Sequence, residues 1–221
     1  MKTLTPLLAS LLAAGACACA ATSLCAGAAT SSREFKTSFD CASTRASIEK
    51  LICRDPQLAQ MDIELQRLYL LVLTDDHAVP PRNKVEIDQQ FWLDARNQCA
   101  TDREPKACTI RNYAERAYQL RQGSAIARTK DPSRLTEGPV AFRCAGLNAL
   151  VAATFFTVNP AVVYLKWANT SVTLNQQPST IGTRYGGKDF RGSYSFWYEG
   201  DDALLQMPGS AEMSCKAEPV G

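Results

Sequence analysis

Nine cysteines and a single histidine are the residues of this chain best suited to chemistry. A catalytic histidine would have to be His77, and it precedes the Pro80-Pro81 break in a polar stretch that reads as a solvated loop. With one histidine in the chain, a multi-histidine metal site is excluded. Setting aside Cys17, Cys19 and Cys25 in the leader leaves Cys41, Cys53, Cys99, Cys108, Cys144 and Cys215. The gaps between these six are 11, 45, 8, 35 and 70 residues. Structural zinc sites place paired ligands two to four residues apart, so no metal is expected. An even number of cysteines in an exported chain instead implies three disulfides formed in an oxidising compartment. The four helical cysteines allow three connectivities. Cys53 with Cys99 and Cys41 with Cys108 is the preferred pairing, and Cys144 with Cys215 would close the remainder.

No G-x-S-x-G turn, H-E-x-x-H helix or phosphate loop occurs, so the chain is read as not an enzyme and as needing no cofactor. The adjacent Asp201 and Asp202 point to opposite faces if they lie in a strand, so they do not form a catalytic pair. The charge balance of 24 basic and 22 acidic side chains argues against nucleic acid as a partner.

The elements that would position these residues fall into two periods. Residues 1–28 read as a signal peptide: Lys2, an apolar run from Leu4 to Ala14, then small residues with several Ala-x-Ala sites. The run is too short to span a bilayer. Cleavage before Cys17 would free a cysteine for a lipid anchor and hence membrane association, although the leucine usual three residues upstream is missing. The expected location is the periplasm or outer envelope.

Residues 38–122 are helical in pattern. Leu58, Met61, Leu65, Leu68 and Val72 form one stripe after an Asp55-Pro56 start. Ile48, Leu51 and Ile52 form a first apolar turn before it; Val85, Phe91, Trp92, Ala95 and Cys99 continue on a third helix, and Pro105 permits a fourth. Asp62 and Arg96 read as a structural pair between helices. Residues 123–138 are polar and read as a linker. From 139 to 217 the period is two, with seven or eight short strands separated by turn signals. The fold class expected is α+β in two domains, a small disulfide-linked helical bundle followed by a small antiparallel β-barrel. Gly186-Gly187 reads as a turn, and Phe196 and Tyr198, or Tyr194 with them, as barrel core, the rest of that aromatic run forming a surface patch. Oligomeric state is left open.

Each half resembles a known family. F-D-C-A-S-T-R-A-S-I-E-K-L-I-C from Phe39, D-P-Q-L-A-Q-M-D-I-E-L-Q-R-L-Y from Asp55 and F-W-L-D-A-R-N-Q-C from Phe91 resemble the N-terminal domain of LprI-type lysozyme inhibitors. F-R-C from Phe142, I-G-T-R-Y-G-G from Ile181, F-W-Y-E-G-D-D-A-L-L from Phe196 and S-C-K from Ser214 resemble the MliC/PliC inhibitors of c-type lysozyme. That second resemblance implies a barrel with disulfide-joined terminal strands that occludes the active-site cleft of lysozyme. It places the family's serine at Ile181 and its lysine at Glu199, so both donor positions are changed here. The lysozyme-binding residues it implies, with neighbouring donors, are Thr180, Ile181, Gly182, Thr183, Arg184, Tyr185, Lys188, Arg191, Trp197 and Glu199. Glu199, Asp201 and Asp202 form an acidic patch suited to a basic partner. The alternative is a non-inhibitory envelope module that binds glycan, cell wall or another protein.

Overall fold

A computed structural model describes residues 34–129 and 135–219. The leader, with its cleavage sites and Cys17, lies outside the described residues.

Helix α1 (Ser47–Arg54) is followed at once by α2 (Pro56–Leu73). The Asp55 side chain accepts from the amides of Gln57 and Leu58 at 3.0 and 3.1 Å, and Pro56 occupies the first turn, where no amide donor is needed. Pro80-Pro81 ends the connection, and α3 (Arg82–Gln98) starts immediately after it. A 3-10 turn, Cys99–Thr101, leads to α4 (Pro105–Gly123). A short α5 (Ala125–Arg128), capped by Ser124, occupies part of the stretch expected as a linker. The Leu58–Val72 stripe is buried as its spacing requires. Asp62 and Arg96 are both buried and lie 3.9 Å apart between α2 and α3. Tyr113 on α4 donates to Asp62 at 2.8 Å, and Arg96 also reaches Glu49 at 3.2 Å. His77 is exposed, in a turn after α2.

All six expected cysteines are disulfide-bonded, but the helical pairing differs from the one preferred above. Cys41 bonds Cys53 and Cys99 bonds Cys108, with Cα separations of 5.9 and 5.5 Å. The reason is local. Cys41 lies in the segment folded back against the end of α1, and Cys99 and Cys108 flank the tight turn between α3 and α4.

Eight antiparallel strands follow: β1 (Thr136–Cys144), β2 (Leu150–Phe156), β3 (Val162–Trp167), β4 (Thr170–Gln177), β5 (Thr183–Asp189), β6 (Gly192–Glu199), β7 (Asp202–Gln206) and β8 (Met213–Ala217). Each pairs with its neighbour in sequence, and β1 pairs with β8 to close a barrel. Cys144 and Cys215 face one another across that closure and are bonded. Alternate residues line the interior: Phe142 and Cys144, Ala153 and Phe155, Val163 and Leu165, Phe196, and Leu205. Tyr194 is buried there too, and Tyr198 packs against the same cluster.

β5 is the strand the sequence did not announce. Gly186 and Gly187, expected in a turn, lie inside it. Added Cβ atoms would come within 3.1 Å of the Gln177 side chain and 3.0 Å of Leu174 Cδ2 respectively, so the pair permits close approach to β4.

The helices and the barrel belong to one compact unit. Phe156, Val158, Val162 and Tyr164, on the outside of β2, β3 and the loop between them, join the helical core rather than the barrel interior. Tyr118 packs on Tyr164 with ring centroids 5.2 Å apart. A buried polar cluster fastens the same seam. Arg121 donates to the Gly138 carbonyl at 2.6 Å and to the Thr136 hydroxyl at 3.1 Å. Thr136 donates in turn to Glu64, which also takes two bonds of 2.7 Å from Arg67.

Candidate functional site

The strand registers divide the barrel's loops between two ends. At one end lie the β2–β3 loop, the β4–β5 loop over residues 178–182, and the β6–β7 turn at Gly200 and Asp201. Thr183 pairs with Tyr198 and Glu199 with Asp202, so the β4–β5 loop and the β6–β7 turn are neighbours. At the other end lies the β5–β6 turn, where Asp189 pairs with Gly192.

The structure therefore brings together only some of the residues singled out above. Thr180, Ile181, Gly182, Thr183 and Glu199 meet at the first end, with Arg184 and Trp197 on the adjoining outer face as a cross-strand pair. Tyr185 points inward against Phe155, and burial pushes its phenol up to about 12. Lys188 sits near the opposite end of β5, roughly 16 Å along the strand from Thr183 at the usual rise per residue. Arg191 lies in the far turn, bonded to Asp189 at 2.7 Å and stacked over Phe190, which is 94% exposed.

The β4–β5 loop is held in one shape by its own chemistry. Ile181 is 65% exposed at its crest, yet its carbonyl is fixed twice. Trp197 Nε1 donates to it at 2.9 Å and the Ser179 hydroxyl at 2.7 Å. Gly182 adopts φ +62°, and a Cβ there would lie 2.7 Å from Trp197 Nε1. Only glycine satisfies both the backbone angle and the indole's approach. Arg184 is exposed, and no described residue pairs with its guanidinium. A preorganised loop of this kind loses little conformational freedom on binding.

The electrostatics of this end are acidic. Glu199 and Asp201 are exposed; Glu199 carries no side-chain partner among the described residues, and Asp201 lies in the field of Lys216. Asp202 is bonded to Lys216 at 2.9 Å, which removes it from the patch as a free charge. Glu137 joins them. Its carboxylate acts on the phenols of both Tyr185 and Tyr198, raised chiefly by burial and further by this neighbouring negative charge, and so lies close to the barrel mouth. Sequence reading missed Glu137 because it lies in the stretch assigned to a linker; only closure of the barrel carries it to the site. Among the described residues, no cluster of His, Cys, Asp and Glu could hold a metal ion.

Residues 142–214 match the family model MliC, membrane-bound lysozyme-inhibitor of c-type lysozyme. The β4–β5 loop, Trp197 and Glu199 all lie inside that MliC match, and Glu137 lies outside it. Lipoprotein LprI of Mycobacterium tuberculosis is 28% identical over 174 residues, covering 78% of this chain and 81% of the relative. Lipoprotein LprI of Mycobacterium bovis gives the same figures. A match of that length runs past the barrel into the helices, so both resemblances seen in the sequence are supported. No solved structure gives a significant match. Among the described residues, no helix is long and apolar enough to cross a membrane.

Proposed function

We propose that the protein is an exported inhibitor of c-type lysozyme that places its β4–β5 loop in the enzyme's active-site cleft, built as a helical part over 38–122 and a barrel over 139–217. The observation that carries this reading is the doubly fixed Ile181 carbonyl beneath an exposed, glycine-shaped crest. A rigid protrusion is what occlusion of a groove requires. Two carboxylates flank the scissile bond in such enzymes. Ile181 offers them no donor, so it acts as an apolar plug, while Thr180 and Arg184 supply hydroxyl and guanidinium groups on either side. Glu199 is kept away from the catalytic carboxylates by electrostatic repulsion and faces the basic rim instead. The leader delivers the chain to the envelope, and a lipid on Cys17 would hold it there.

The test is turbidimetric. Mature, oxidised protein should slow lysis of a cell-wall suspension by c-type lysozyme at micromolar concentration or below. Ile181→Asp, which sets a third carboxylate against the two that flank the scissile bond, should abolish the effect. A second reading is favoured by Ile181 and Glu199, which stand at the family's two donor positions: an envelope-binding module without inhibitory activity. Undiminished lysis at large molar excess of correctly disulfide-bonded protein would establish that reading in place of the first.

A further inference from the structure

We propose that the helical part completes the lysozyme-contact face, through a groove at its seam with the barrel that takes the enzyme's cationic rim. This inference rests on the reading above and deepens it.

The groove, of about 380 Å³, has an apolar floor of Pro105, Ala107 and Ile110 from α4 and Pro160 from the β2–β3 loop. The β2–β3 loop belongs to the same end of the barrel as the 178–182 loop. Gln57 Nε2 donates to the Pro160 carbonyl at 2.7 Å, so the two walls of the groove are joined directly. Asn175 forms its barrel-side edge, two residues before Gln177, which pairs with Arg184. Ser179 is four steps along the chain from Asn175, a distance of at most about 14 Å if extended. A standard interface covers about 800 Å² on each partner, a disc roughly 16 Å in radius. An enzyme seated on the loop therefore reaches the groove.

Charge selects what enters it. Lys106 lies at the groove but is bonded to Asp55 at 2.5 Å. Glu104 is exposed and has no side-chain partner among the described residues, so the free charge at the groove is negative. Glu137, Glu199 and Asp201 extend that sign around the barrel mouth. The fitting occupant is an apolar side chain beside an Arg or Lys on the rim of a basic enzyme. The seam is rigid, because Arg121, Thr136 and Glu64 bond across it and Tyr118 packs on Tyr164. Helices and barrel thus present one surface.

The experiment measures binding of the full mature chain to immobilised c-type lysozyme. Ala107→Arg and Asn175→Arg obstruct the groove from opposite walls, so a folding failure in one leaves the other to decide. Each should weaken Kd at least tenfold with the thermal midpoint kept. On the parent complex, hydrogen exchange should show protection of the Lys106 and Ala107 amides, which lie in the first turn of α4. Binding by the folded variants within twofold of the parent, or unprotected amides, with Ile181→Asp still disruptive, would overturn this inference alone. A parent chain that fails to bind lysozyme at all would overturn the proposed function and this inference with it.

Discussion

Trp197 Nε1 and the carbonyl oxygen of Ile181 are 2.9 Å apart, and the bond they form ties the outer face of β6 to the crest of the β4–β5 loop. Trp197→Phe removes the donor while keeping an aromatic ring. A hydrogen bond of this kind contributes about 1 kcal/mol net. Stability should fall by about that amount. Inhibition should weaken by about tenfold, because the freed loop must be ordered when it binds. Denaturant titration and a lysis assay on the same preparation measure the two effects.

The acidic mouth predicts a kinetic effect. Like charges on the approaching faces slow encounter, and opposite charges accelerate it. Reversing Glu137, Glu199 and Asp201 together to lysine should lower the association rate with a basic lysozyme by about tenfold at low salt. The difference should shrink as salt is raised. Stopped-flow association rates across a salt series provide the check.

The seam between helices and barrel predicts a single cooperative unfolding event. Glu64 is 1% exposed and accepts from Arg67 and Thr136, so Glu64→Gln leaves charged donors without their carboxylate. A loss of about 2–3 kcal/mol is expected from hydrogen bonds to a charged group. Far-ultraviolet dichroism reports mainly the helices and near-ultraviolet dichroism the packed aromatic rings. The two transitions should coincide in the parent protein.

Alkaline titration should unfold the protein in a defined window. Burial pushes the phenols of Tyr164 and Tyr185 up to about 12, and that of Tyr113 well above its usual 10.0. The folded state therefore holds these protons more tightly than the unfolded chain does. Their contribution is fully present below pH 10 and is lost as pH rises through the folded values. Phenolate absorbance should rise together with loss of tertiary dichroism rather than before it.

The three long helices and most strands were legible because their apolar spacing matches one period or the other, with Pro56, Pro81 and Pro105 marking the starts. β5 was not, since T-R-Y-G-G-K-D has one large apolar side chain, and its strand character comes from pairing with β4 and β6. The helical disulfides were not, because they depend on how the segment before α1 folds back and how tightly α3 turns into α4. The residues around Ile181 fall in the connection between β4 and β5. Their motif could not show that Lys188 and Arg191 lie toward the other end, because that follows from β5 being extended. Glu137 became visible only through the barrel's mouth.

Because β1 meets β8, the barrel has no unpaired strand along which a foreign chain could zip up by main-chain bonding. Any partner of the barrel must be read by side chains and turns, whose identities can change without disturbing the ladder beneath them. The same closure denies neighbouring copies a template for sheet-to-sheet growth.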